Sequence, residues 1–156
     1  MKKQTIILLG VAMILIGLLS SFHFFTRLQG LFQSHLSHYS RLFEKGQTVR
    51  CLYLDITMFL YIASLLFKNL YYVMGGVMIL FFTEFGRELG LLGAVIGLVT
   101  EVSFRLMFWV GSDPSVVTPF SITPFFLFLI GISIHITFFY LLTRRPMVEN
   151  LKRSTP

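Results

Sequence analysis

Apolar runs close to 20 residues long recur through this chain, and few folds can accommodate them. The hydrocarbon core of a bilayer is about 30 Å thick, which about 20 apolar residues of helix cross. The first run is "TIILLGVAMILIGLLSSFHFF", Thr5–Phe25. Others follow at about 51–67, 70–85, 89–111 and 125–143. A soluble domain is about 45–50% apolar and about a quarter charged. Here 55% of the 156 residues are hydrophobic and 13% are charged, more apolar surface than one small water-facing core can bury. The expected fold is therefore an all-α integral membrane protein with about five transmembrane helices, four being the alternative, in a single transmembrane helical domain over 1–156. The basic start and the apolar stretch after it resemble a signal peptide but lack a small-residue cleavage site, so a retained first span is expected.

Residues 26–50 break the pattern. Leu28, Leu31, Phe32, Leu36, Tyr39, Leu42 and Phe43 recur at the helical period, with Arg27, Gln33, Ser37, Arg41, Glu44 and Lys45 on the other side. This predicts an amphipathic interfacial helix over about 27–45, ended by Gly46. A helix packed against the protein's own spans would carry the same pattern. Only Lys68 and Asn69 separate the second and third runs. That spacing predicts a tight helical hairpin, although one long bent helix or a re-entrant pair fits the same residues. Gly75 and Gly76 mark a weak point in the third run. Thr83–Gly90 reads as a short polar link, Ser112–Pro124 as a proline-broken loop, and "RRPMVENLKRSTP" as a frayed basic tail.

Lys and Arg concentrate on the cytoplasmic side of membrane proteins. Five spans, with the 26–50 segment and the tail inside, put nine basic residues in the cytoplasm: Arg27, Arg41, Lys45, Arg50, Arg87, Arg144, Arg145, Lys152 and Arg153. Lys2, Lys3 and Lys68 fall outside. The expectation is a multi-pass bacterial inner (plasma) membrane protein with a cytoplasmic C-terminus. If spans two and three are not a hairpin, four crossings leave both termini inside. The net charge of +6 is explained by these flanking residues. Nucleic-acid binding is not expected, because no basic face with interleaved aromatics lies outside the apolar runs.

Charge inside the fourth run is the chemical signal. Gly90, Gly93 and Gly97 form a small-residue stripe that lets another helix approach, as do Gly10 and Gly17 in the first run. Glu101 continues the stripe four residues after Gly97, and Arg105 follows four later, the favourable order for a helical ion pair. A charge at the bilayer centre costs at least about 2.5–3.5 kcal/mol on insertion scales, so these side chains are expected to face another helix. His135 falls at a similar depth in the fifth run. Glu101, Arg105 and His135 are thus the expected intramembrane polar cluster, either a structural clamp or a proton or ion relay.

The remaining candidates point to no reaction. Cys51 is the single cysteine, so no disulfide or CxxC site forms within the chain. Asp55 reads as interfacial. Glu84 and Glu88 flank Arg87 and read as solvated or capping residues. His35 and His38 lie three apart on the interfacial helix with His23 nearby, but a haem needs histidines at matching depth on facing helices and His23 does not match His135, so no metal or haem site and no cofactor is expected. Tyr53, Tyr61, Tyr71, Tyr72 and Trp109 read as membrane-interface aromatics. No phosphate-binding loop, HExxH or GxSxG is present, and no catalytic residue is assigned. The leading expectation is a non-enzymatic subunit, accessory or scaffold protein of a larger inner-membrane complex, in contact with membrane lipids and with other membrane subunits or itself. The alternative is a small transporter or channel acting as a homo-oligomer around Glu101, Arg105 and His135. A third reading is a lipid or quinone enzyme using His35, His38, Glu84 and Glu88.

Overall fold

The computed structural model describes residues 3–111 and 122–152, apart from the side chains of 27, 31, 104–111, 122–125, 127 and 152. Five helices and no strands are present among the described residues: α1 (Lys3–Glu44), α2 (Thr48–Leu80), α3 (Glu84–Gly111), α4 (Ile122–Thr143) and α5 (Arg145–Lys152). Two segments are long and apolar enough to cross a membrane, Lys3–Thr26 of α1 and Thr48–Leu80 of α2. The five spans read from the sequence are not what the helices show. The expected loop at Ser112–Pro124 falls largely outside the described residues.

Two of the expected boundaries are absent. The first span and the amphipathic segment are one 42-residue helix. Nothing near Thr26 breaks a helix, and Gly30 alone costs only about 1 kcal/mol. Part of the amphipathic face is covered by α2: Cys51 Sγ donates to the Tyr39 carbonyl at 3.9 Å, and His35 Nε2 lies 2.9 Å from Asp55 Oδ1. Phe32, Leu36 and Phe43 stay exposed. Likewise, α2 runs unbroken through Lys68 and Asn69, where the hairpin was expected. Lysine is a good helix former, and a lone Lys-Asn pair carries no turn signal such as Gly or Pro.

The true turns have their own chemistry. At the end of α1, Gly46 takes φ +68°. Its N–H donates to the Phe43 carbonyl and that of Gln47 to the Leu42 carbonyl, which is a Schellman motif. The end of α2 repeats the pattern with Phe82 at φ 56°, donating to Ile79 while Thr83 donates to Met78. Thr83 then caps α3, its Oγ1 accepting the Gly86 N–H at 3.2 Å. The expected polar link over 83–90 is therefore mostly the first two turns of α3.

Glycine notches set the packing of consecutive helices. A Cβ on Gly10 would lie 2.9 Å from the Gly76 carbonyl oxygen, and one on Gly17 would lie 3.0 Å from that of Asn69. A Cβ on Gly75 would lie 2.8 Å from the Gly90 nitrogen. Gly75 and Gly76 are thus close-approach points inside a continuous helix rather than a weak point. Along α3 and α4 the antiparallel register is constant: Gly90 meets Leu142, Gly97 meets His135, and Glu101 meets Gly131.

Part of the expected frayed tail forms α5. Met147 and Leu151 of α5, one turn apart, are fully buried in the same core as Ile6, Leu9 and Met13 of α1. The α4–α5 pair bends by 58° at Arg144. The start of α1 and the end of the described chain therefore share one end of the bundle, which corrects the expectation that five spans separate the termini.

Candidate functional site

The middle of the bundle brings polar side chains together from three helices. On α3, the Glu101 carboxylate rests against Gly131 of α4, where a Cβ would lie 3.4 Å from its Cδ and Oε1. One turn earlier on α3, Gly97 faces the His135 imidazole so closely that a Cβ there would overlap the ring. His135 is 4% exposed. Its other face meets Tyr72 of α2, with ring centroids 5.7 Å apart and planes within 9° of parallel. The Tyr72 hydroxyl and His135 Nδ1 are 2.5 Å apart, and the imidazole tautomer decides which of them donates. Phe138, one turn along α4 from His135, also packs against the Tyr72 ring, its centroid 5.3 Å away and its plane tilted by 58°.

Lys68 stands one turn before Tyr72 on α2 and is 6% exposed. It lies within electrostatic range of both Glu101 and His135. Among the described residues it makes no ion pair within 4 Å. Beside it, both amide atoms of Asn69 are buried without a hydrogen-bond partner, a state that costs about 1–3 kcal/mol per group. Thr100, next to Glu101, turns its hydroxyl back to the Ile96 carbonyl at 2.6 Å.

Helix periodicity explains this convergence. Lys68, Tyr72, Gly75 and Ile79 fall three or four residues apart on α2, so they lie on one stripe. Gly93 and Gly97 fall on one stripe of α3, and a Cβ on Gly93 would lie 3.1 Å from the Tyr72 ring. The small residues let Tyr72 and His135 enter between the backbones. The group can hold a buried positive charge on Lys68 and a half-buried negative charge on Glu101 at a distance. It can also pass a proton between a phenol and an imidazole.

Of the three cluster residues expected from the sequence, Glu101 and His135 both lie at the α3–α4 interface, one turn apart, Glu101 against Gly131 and His135 against Gly97. The side chain of Arg105 lies outside the described residues. Lys68 and Tyr72 were missed. Lys68 was assigned to an outside turn, and Tyr72 to the membrane interface, yet Tyr72 is fully buried. Reading 51–80 as one helix would have exposed their shared stripe. The other candidates lie elsewhere: His35 pairs with Asp55, and Arg87 Nη2 donates to Glu84 at 3.4 Å. His35 lies beside Asp55 near the start of α2, whereas Glu84 begins α3 beyond the other end of α2. Asp55 to Leu80 alone is about 38 Å along α2, so the third reading's residues do not form one site. Among the described residues, no three His, Cys, Asp or Glu side chains gather as a metal site would require. Comparison with protein-family models, with curated proteins and with solved structures finds no match to this chain, so its site is read from its own residues.

Proposed function

We propose that this chain is a multi-pass bacterial inner-membrane protein that handles a proton at the Lys68–Tyr72–Glu101–His135 cluster. The observation carrying this reading is the gathering of four titratable side chains from three helices at one level of the bundle, with Lys68, Tyr72 and His135 buried and Glu101 half-buried. Ionisable residues inside membrane segments are costly, and they commonly mark proton relays or counter-charges. Tyr72 and His135 supply the hydrogen-bonded step. Lys68 and Glu101 supply opposite charges that bias where the proton rests. Four long helices with both termini on the cytoplasmic side complete the proposal. Lys3, Arg87, Arg144 and Arg145 stand at the terminal end, and Lys2, Lys152 and Arg153 adjoin it in sequence. Arg27, Arg41, Lys45 and Arg50 belong to the other half of the α1–α2 pair. That balance follows the positive-inside rule.

The test is proton flux into liposomes carrying the purified protein, driven by a potassium diffusion potential and read with an internal pH dye. Flux above protein-free liposomes, reduced at least tenfold by Glu101→Gln and by His135→Ala, supports the relay. Flux equal to the protein-free control removes it.

A second reading, a non-enzymatic subunit of a larger membrane complex, is favoured by the outer face of α2. Val49, Leu52, Ile56, Phe59, Leu66, Leu70, Val77 and Phe81 are all exposed along its length. Native mass spectrometry of the gently extracted protein separates the readings. A foreign chain at fixed stoichiometry supports the subunit, and a homo-oligomer alone supports self-contained transport.

A further inference from the structure

A cavity of about 410 Å³ lies at the terminal end of the bundle, away from the polar cluster. Its walls are Lys3 and Ile6 of α1, Phe81 and Phe82 of the α2–α3 turn, and Asn150 of α5. From Tyr72 to Phe82 is about 15 Å along the chain at the helical rise, so the two sites share no side chain.

Three properties of this cavity define what it can hold. The first is its place. The first turn of α1, the last turn of α2 and α5 meet here, at the end of two segments long enough to cross a membrane. α5 bends 58° away from α4. It buries Met147 and Leu151 while Arg145 and Glu149 stay exposed, the pattern of a short helix at the level of lipid headgroups. The second is its charge. Among the described residues Lys3 is the one cation on the wall. Its Nζ rests 5.1 Å from the Phe82 ring centroid and makes no ion pair with a carboxylate. Arg144 and Arg145 add positive charge at the same end, where Arg87 is paired with Glu84, and Glu88 and Glu149 carry negative charge. The third is its apolar lining. Ile6 is 1% exposed and forms a floor, whereas Phe81 is 74% exposed and leads outward to the lipid-facing side. A ligand matching all three has a negative head and an apolar chain.

We infer that this cavity binds the headgroup of an anionic phospholipid, with its phosphodiester on the Lys3 ammonium and its acyl chains leaving past Phe81. Basic pockets at the cytoplasmic ends of membrane helices hold anionic headgroups by the same charge logic. The inference rests on the membrane placement alone and not on the proton relay.

The test is native mass spectrometry of the delipidated full chain, titrated with phosphatidylglycerol or phosphatidylcholine. One phosphatidylglycerol should be retained about fivefold more strongly than phosphatidylcholine, the preference expected from one interfacial lysine. Lys3→Gln should abolish that preference, and Arg50→Gln, at the other end of α2, should leave it intact. Phe81→Ala should weaken both lipids together. Equal binding of the two lipids by the unaltered chain overturns the inference, as does an equal effect of Lys3→Gln and Arg50→Gln. Displacement of phosphatidylglycerol by excess inorganic phosphate also overturns it, by making free phosphate the ligand. Because proton flux is not the readout, this result and that of the relay experiment can fail separately.

Discussion

At the residue scale, the contact between Tyr72 and His135 has the highest local stakes. Both side chains are buried, and each hides a polar atom that only the other satisfies. Tyr72→Phe keeps the ring stacking and removes the hydroxyl, leaving His135 Nδ1 without its partner. Loss of about 1–3 kcal/mol is expected, measured as a shift in detergent unfolding by SDS. An unchanged midpoint would show that the pair contributes no net stability. Two glycines give a sharper contrast. A methyl on Gly97 would overlap the His135 imidazole, whereas one on Gly30 would meet nothing within 4 Å. Gly97→Ala should destabilise by about 1–3 kcal/mol through overpacking. Gly30→Ala should stabilise by up to about 1 kcal/mol through helix propensity. The same unfolding series reads both, and equal effects would contradict the placement of His135.

At the scale of the element, the unbroken α2 is the main lesson. Lys68 and Asn69 look like a turn because they are the polar residues between two apolar runs. Yet a turn needs residues that release or redirect the backbone, and those stand at Gly46 and at Phe82–Thr83. Phe82 adopts a left-handed backbone that costs a non-glycine residue about 1–2 kcal/mol, and its side chain gives no advance notice of that role. Gly46 does give notice, and Gly46→Ala should cost about 1 kcal/mol because its φ is positive. α5 is the other element that composition concealed. Its basic, proline-containing sequence suggests a loose tail, but Pro146 sits in the first turn, where its missing N–H is harmless. Met147 and Leu151 fall one turn apart and reach the core. Met147→Ala should cost about 2–5 kcal/mol as a buried large-to-small change. The matching observation is faster proteolysis after Arg144, and cleavage at the original rate would mean that α5 is not docked.

At the scale of the whole molecule, α1 and α5 share one end, and the α1–α2 turn belongs to the other. This makes a direct prediction for the protein in its membrane. In a Cys51→Ser background, Lys3→Cys and Glu149→Cys should react with an impermeant maleimide from the same side. Gln47→Cys should react from the opposite side. Labelling of positions 3 and 149 from different sides would restore an odd number of crossings and exclude the four-helix arrangement.

By itself the sequence determined the class of molecule. Apolar runs of this length admit few other solutions, so an all-helical chain with membrane-length segments was legible from composition and spacing. The four-residue step from Gly97 to Glu101 was legible for the same reason: helical period is local, and it fixes which side chains share a face. Counting depth along the helices set His135 level with Glu101, whereas the packing places His135 against Gly97 and Glu101 against Gly131, one turn away. Only the tertiary structure decided that Lys68 and Tyr72 belong to the same group, that α1 and α2 are continuous, and that the tail closes the bundle. Those facts depend on which faces meet across tens of residues of chain. Small residues permit a close approach without specifying the helix that makes it. The buried Lys68 was therefore invisible until α2, α3 and α4 were packed, because its burial is a property of the neighbours that surround it.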